Sequence, residues 1–162
     1  MFFLYFILFL SACADLHAFR IPNRLILLGY GAGVLYRLLR PGPIPFYGYL
    51  LASFLVYALL APLFQLRVIG GGDVKLFGIC AVFAGPVRTG IIILYAFLAG
   101  GIQSVIYLAY RRIIFPHVIR QTKYAACIKK GMQTKNVIHF SVSIFFGALA
   151  EHIWGDLLWH IF

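Results

Sequence analysis

The sequence predicts an all-α, polytopic integral membrane protein with about six transmembrane helices in a single domain over residues 1–162. Three observations support this fold class. Hydrophobic residues make up 63% of the chain and charged residues only 11%, whereas about a quarter of a soluble domain is charged. Long apolar segments alternate with breaks rich in proline and glycine. Basic residues are concentrated between particular segments, as the positive-inside rule describes.

The first three spans are separated by proline-containing breaks. Residues 1–20 form an apolar segment long enough to cross, with Asp15 near its inner end. Pro22 disfavours helix at the residue before it and suits the first turn of a second span over residues 25–39. The proline-dense stretch 40–45 ends that span, and a third occupies residues 47–64.

The later spans are less regular. Glycines precede a fourth span that begins at Val74 and meets Gly85-Pro86 after about eleven residues, or about 17 Å of helix. A fifth span over residues 89–110 is uninterrupted, and its Ala99-Gly100-Gly101 stretch favours close helix contact. A basic connection, residues 111–139, precedes the last span, which begins near residue 140.

The distribution of basic residues selects a topology. With six crossings and an external N-terminus, the outer loops hold Arg37, Arg40 and Arg88, and the other eleven of the 14 basic residues lie inside. A five-span chain, in which the short fourth segment does not cross, divides them at best nine to five. Six crossings are therefore favoured.

The chain holds four carboxylates, and this topology places Asp15 and Asp73 toward the cytoplasm and Glu151 and Asp156 toward the other side. Two neighbouring carboxylates cannot both ionise easily, so they share one proton. One can then activate a water while the other donates a proton to a carbonyl. Asp15 and Asp73 on one face therefore suit the activation of a water for peptide hydrolysis, and we expect a structural role for Glu151.

Two residues of the glycine segment have alternative interpretations. The glycines can reach positive φ and let a second chain approach, which makes Asp73 a functional acid; otherwise Asp73 is an N-cap for a helix starting at Val74. Lys75 either stabilises the charge of Asp73, binds a substrate carboxylate, or extends to the membrane surface as an anchoring lysine.

Composition also limits the classes of partner and cofactor that we expect. A net charge of +10 fits anionic lipid headgroups and basic inner loops, so membrane lipid is expected as a partner and nucleic acid is not. The three cysteines form no Cys-x-x-Cys pair, and the five histidines lack metal-ligand spacing. We therefore expect neither a metal nor a cofactor.

The motifs carry a family resemblance. In chain order they are Asp15, then Ile21-Pro22-Asn23, then Gly70-x-Gly72-Asp73-Val74-Lys75. Together they resemble the type IV prepilin peptidases, the Gly-x-Gly-Asp membrane aspartyl proteases. Residues 140–150 are similar to the closing helix of that family, although His139 stands where the family has proline.

The resemblance implies a membrane aspartyl endopeptidase of the inner (cytoplasmic) membrane that removes the leader peptide of type IV prepilins or pseudopilins at the cytoplasmic face. It assigns catalysis to Asp15 and Asp73, with a set of supporting motif residues: Gly70, Gly72, Lys75, Ile21, Pro22 and Asn23. Larger members carry an N-terminal region associated with methylation. This sequence lacks that region, so it is similar to the small peptidases of Flp-type pili.

The alternative from another class is a small proton- or cation-coupled transporter or channel. Its acids would bind the ion, and the glycine break would form part of the site. Two acids on one side of the membrane favour the protease, whereas an acid pair at the midplane would favour transport.

The predicted topology determines the side of the membrane from which Cys127, in the basic connection, is accessible to a membrane-impermeant thiol reagent. Labelling should occur in inverted vesicles and not in intact cells. Cys13 and Cys80, in apolar segments, should react poorly because thiolates form reluctantly there. Labelling of Cys127 from outside intact cells would reverse the topology and move both candidate acids to the outer face.

Overall fold

Helices make up nearly all of the described chain. The computed structural model describes residues 2–18, 21–109, 112 and 140–159, except for the side chains of residues 18 and 155–159. In order, the helices are α1 (Phe2–Ala18), α2 (Asn23–Leu39), α3 (Phe46–Gln65), α4 (Gly71–Ala84), α5 (Pro86–Ala109) and α6 (Phe140–Trp159). The predicted all-α fold class is confirmed for these residues.

Two of the helices, α3 and α5, are long and apolar enough to cross a membrane. The described part of the chain also has shorter apolar helical stretches at Phe2–His17 and Phe140–Trp154. Six crossings stay a prediction. Arg20 and the basic connection, with Cys127 and His139, lie outside the described residues except for Arg112, and so do the side chains of Asp156 and Trp159.

Helix boundaries follow the proline and glycine breaks. Pro22 and Pro45 are extended residues that precede α2 and α3, and Gly85 ends α4 at a φ of 84°. That conformation requires glycine, because a side chain is strained at such a φ. The predicted starts of α4 and α5 are wrong by three residues, since α4 begins at Gly71 and α5 at Pro86. The prediction placed Gly71, Gly72 and Pro86 in the breaks between helices. In the structure these residues form the first turns of α4 and α5, where proline in particular is well tolerated.

Helix α4 is the centre of the bundle and contacts each of the other five described helices. Every residue from Leu76 to Phe83 is buried, and so is Val74. A helix that is apolar on all sides is buried on all sides. The shortest of the described helices is therefore the one most enclosed by protein.

Small residues let the helices around α4 approach closely. A Cβ on Gly147 of α6 would lie 2.7 Å from the backbone nitrogen of Ala96 in α5, so the two helices nearly touch there. A Cβ on Gly100 would lie 2.6 Å from Cε2 of Phe140. The close contact predicted at Ala99-Gly100-Gly101 is thus confirmed at Gly100.

The C-terminal end of α4 is held by an arginine from α2. The Arg37 guanidinium donates from Nε to the carbonyl oxygen of Val82 at 3.3 Å and from Nη2 to that of Phe83. Its Cζ also lies 3.9 Å from the centre of the Tyr49 ring in α3. One side chain therefore supplies donors to helix-end carbonyls, which otherwise lack partners, and joins α2, α3 and α4.

Replacement of Arg37 by lysine should lower thermal stability, measured by unfolding of the detergent-solubilised protein. Lysine keeps the charge but loses the paired donors and the planar stacking surface. The expected loss is about 2 kcal/mol, a decrease of several degrees in Tm. Arg40→Lys, at an exposed position just after α2, is the matched control and should leave Tm unchanged. An Arg37→Lys protein as stable as the wild type would show that the arginine does not stabilise the α4 end.

Candidate functional site

The first turn of α4 presents Asp73 to an open pocket. Gly70 is the N-cap residue, and the Asp73 and Val74 amides donate to its carbonyl oxygen at 3.1 and 3.2 Å. The Asp73 carboxylate accepts a hydrogen bond from the Gly70 backbone. A carboxylate at the third helical position that reaches back to the N-cap N–H is half of a capping box. The alternative in which Asp73 is itself the N-cap is therefore wrong.

The glycines before Asp73 provide space. Among the described glycines only Gly85 has positive φ, so the positive φ expected at residues 70–72 is not found. A Cβ on Gly70 would lie 2.9 Å from Oδ2 of Asp73, and one on Gly72 would lie 3.0 Å from Cδ1 of Ile21. Gly70 leaves room for the carboxylate, and Gly72 lets the segment before α2 lie against α4.

Asp15 reaches the same pocket from α1, near the end of that helix. Its Oδ2 accepts a hydrogen bond of 2.6 Å from Oγ of Ser141, in the first turn of α6. Ser141 itself is 1% exposed. A hydrogen-bond partner of the Asp15 carboxylate thus comes from the last described helix of the chain.

The pocket has a volume of about 890 Å³ and is lined by residues of all six described helices and of the segments before α2 and α4. Most of the residues predicted for the site line it: Asp15, Ile21, Asn23, Gly70, Gly72, Asp73 and Lys75. Pro22 does not; it is the N-cap residue of α2 and its carbonyl accepts from the Leu25 amide at 3.0 Å. Residues far apart in sequence therefore share one cavity.

The two carboxyl groups influence each other. Burial, and then the negative charge of Asp15, raise the pKa of the Asp73 carboxyl to about 7, against the lowering effect of the hydrogen bond from Gly70. Asp73 lies in the first turn of α4, at the helix end that faces the pocket. A carboxyl whose pKa is raised holds its proton to higher pH than a free aspartate, so it can donate a proton as well as accept one.

Lys75 contacts the first residue of α2, Asn23. Its Nζ donates to Oδ1 of Asn23 at 3.3 Å. Among the described residues no ion pair joins Lys75 to Asp73, and the ion pair present is Arg88 with Glu151 at 3.8 Å. Lys75 therefore lines the pocket with its ammonium beside the Asn23 amide, and the three interpretations of Lys75 stay predictions.

Glu151 lies away from the pocket. It is 4% exposed, and its Oε1 is close to Nε of Arg88 in the first turn of α5. That turn follows the C-terminal end of α4, whereas Asp73 lies at the N-terminal end. The structure therefore brings Asp15 and Asp73 together and leaves Glu151 at the other end of α4.

Ser141 and Arg67 belong to the site but were not predicted from the sequence. A serine in an apolar helix usually bonds to its own backbone, so nothing in the sequence marked Ser141 as a partner of Asp15. Arg67 follows α3, lines the pocket and has a φ of 57°, which is uncommon for a residue other than glycine. The sequence signal that could have identified Arg67 is its position just after the third apolar segment and three residues before Gly70.

The residues described by the structure contain no cluster of three or more His, Cys, Asp or Glu side chains that could hold a metal ion. The described residues that line the pocket supply two carboxyls, a lysine, an arginine, an asparagine and a serine hydroxyl for chemistry. Such a set can bind a peptide and transfer protons.

Comparison with known proteins identifies the family. The model of the type IV leader peptidase family matches residues 2–105, which is more than half of the chain. No curated protein and no solved structure matches significantly. The matched residues include Asp15, the Ile21-Pro22-Asn23 segment and the glycine segment with Asp73, and the match confirms the resemblance drawn from these motifs. The chain therefore belongs to the type IV leader peptidase family and is, as a member of it, a protease.

Proposed function

We propose that this protease removes the leader peptide of type IV prepilins or pseudopilins at the cytoplasmic face of the inner membrane, by activating a water between Asp15 and Asp73. One observation carries the proposal: the two aspartates, from α1 and α4, line one pocket inside the region that matches the family. The raised pKa of Asp73 near Asp15 supports a pair that shares a proton.

In this mechanism the ionised carboxylate takes a proton from the water, and the water oxygen attacks the scissile carbonyl carbon. The protonated carboxyl donates its proton to the carbonyl oxygen, which gives a neutral tetrahedral intermediate. The C–N bond then breaks as the amide nitrogen takes the proton first removed from water. The second carboxyl recovers its own proton from the collapsing hydroxyl, so the pair returns to its starting state.

The pocket fits an extended peptide better than a small ion. Its volume of about 890 Å³ is within the range of ligand sites, and apolar surface from Phe64, Phe97 and Phe140 accompanies the acids. A transporter or channel, the alternative drawn from the sequence, is not favoured because the family consists of peptidases. Lipid contact and six crossings belong to the proposal, and they are supported by the uneven division of the basic residues, eleven to three, that six crossings would give.

Replacement of either aspartate by asparagine should abolish processing. Co-expression with a candidate prepilin, followed by its shift to the processed size, measures the activity. Each of Asp15→Asn and Asp73→Asn should reduce cleavage by a factor on the order of 10⁴ or more, and the double variant should be scarcely worse, because catalytic groups that act as a unit are not additive.

Glu151→Gln is the control, since it alters a buried carboxylate outside the pocket and should retain cleavage. Variant and control proteins should accumulate in the membrane to similar levels. Substantial cleavage by either single aspartate variant would contradict the pair, and no cleavage of any prepilin by the wild type would contradict the substrate class.

A bulky residue at position 72 should impair cleavage by separating the segment before α2 from α4. In Gly72→Val the new Cβ would lie 3.0 Å from Cδ1 of Ile21, and overpacking of this kind costs about 1–3 kcal/mol. Cleavage should decrease about tenfold or more, in line with that cost. The same assay of co-expressed prepilin measures it.

Gly90→Val is the matched control, because a Cβ on Gly90 meets nothing within 4 Å. Adding Ile21→Ala to Gly72→Val should recover part of the activity, since it removes the side chain that the valine displaces. A fully active Gly72→Val enzyme would show that the close approach of Ile21 to α4 is not needed for cleavage.

A further inference from the structure

Arg67 occupies a helix-end position that favours glycine. After α3 the Arg67 amide donates to the carbonyl oxygen of Phe64 at 3.0 Å, and the Val68 amide donates to that of Leu63 at 3.0 Å. These two bonds form a Schellman motif, in which the residue with left-handed backbone is usually glycine. Arg67 is that residue, with a φ of 57°. A long side chain is disfavoured there, so its presence points to a use for the guanidinium.

The Arg67 side chain has N–H donors to offer to a ligand. Arg67 is exposed and lines the pocket that contains Asp73. Among the described residues, the arginine and lysine side chains that donate hydrogen bonds are those of Arg37 and Lys75, and the ion pair is that of Arg88 with Glu151. Within this part of the chain the Arg67 guanidinium is therefore open to a bound molecule.

Lys75 is a second cation of the same pocket. Its Nζ donates to Oδ1 of Asn23 at 3.3 Å, which leaves its other ammonium N–H groups for a ligand. The asparagine is neutral, so this contact does not balance the charge of the lysine. Arg67 comes from the end of α3 and Lys75 from the first turns of α4. Two elements thus bring positive charge to one cavity.

The chemistry of these cations suits a carboxylate. The chain is a protease, so a peptide enters its catalytic pocket. A peptide that is cleaved internally carries its negative charges on aspartate and glutamate side chains. Arginine binds a carboxylate through two parallel N–H···O bonds, and lysine binds it as a point charge.

We propose that Arg67 and Lys75 form a carboxylate-binding subsite, through which the enzyme selects substrates with an aspartate or glutamate near the scissile bond. The inference rests on the proposed function and names a feature of its substrate. Anionic lipid headgroups also bind arginine and lysine at a membrane surface. A peptide is favoured here because both cations line the same cavity as Asp15 and Asp73.

A double-mutant cycle between enzyme and substrate tests the subsite. The assay is steady-state cleavage of a purified prepilin by enzyme reconstituted in phosphatidylcholine vesicles. Each acidic residue within about five positions of the scissile bond, about 17 Å of extended chain, is replaced singly by its amide. One replacement should lower kcat/KM about tenfold or more, mainly by raising KM, because the contact is made before the transition state as well as in it.

Arg67→Gln should cause a similar loss with the unaltered prepilin and scarcely any further loss with the prepilin that lacks the selected acid. Lys75→Gln should behave in the same way. Arg24→Gln is the matched control, because Arg24 is exposed in the first turn of α2 and does not line the pocket. It should leave kcat/KM unchanged for every substrate.

Arg67→Gly separates the charge of Arg67 from its place in the fold. Glycine suits the left-handed position, so this variant should be at least as stable to heat as the wild type. It should nevertheless lose cleavage as Arg67→Gln does. A decrease of Tm and cleavage together in Arg67→Gly would show a structural role for Arg67 and overturn the subsite.

Equal cleavage of all the amide-substituted prepilins, or additive losses in the cycle, would overturn the subsite while leaving the protease intact. So would a loss in Arg67→Gln that appears only in vesicles containing phosphatidylglycerol and is the same for every substrate, because the cations would then bind lipid. A wild-type enzyme that cleaves no prepilin would instead contradict the proposed function, so the two failures are distinguishable.

Discussion

The burial of α4 among the five other described helices is the constraint on which the rest of the structure depends. Its side chains satisfy that burial because they are apolar on every side, but its two ends carry backbone groups without helical partners. The Arg37 guanidinium supplies donors at the C-terminal end. At the N-terminal end the Asp73 carboxylate accepts a hydrogen bond from the Gly70 backbone. The side chain that supplies an acceptor at this helix end is therefore also one of the two acids of the pocket.

Because of this arrangement, the two acids of the candidate site are held in different ways. Asp73 is fixed within the central helix, whereas Asp15 belongs to α1 and is held from α6. Small residues allow close contacts around α4, such as Gly147 of α6 against the Ala96 backbone of α5, and Gly72 of α4 against Ile21 in the segment before α2. A shift of any of these contacts would change the separation of the carboxyls, and that separation governs how they share a proton.

Breaks and acids could be predicted from the sequence because their signals are local. Pro22, Pro45 and Gly85-Pro86 mark helix ends by their own backbone preferences, and Asp73 is conspicuous in an apolar chain. Partners across the bundle could not be predicted, because hydropathy does not separate a side chain that faces lipid from one that faces another helix. Ser141 and Arg37 contact residues more than 40 positions away, and no local pattern encodes such a pairing.

The contact between Asp15 and Ser141 joins one of the first residues of the chain to one of the last helices. During synthesis α1 is made long before α6, so Asp15 is at first without the Ser141 hydroxyl that later donates to its carboxylate. Phe140, which lines the pocket, is also made only with α6. A ribosome-bound chain that ends before α6 therefore has both Asp15 and Asp73 but an unfinished pocket, and the pocket is complete only once α6 has been made.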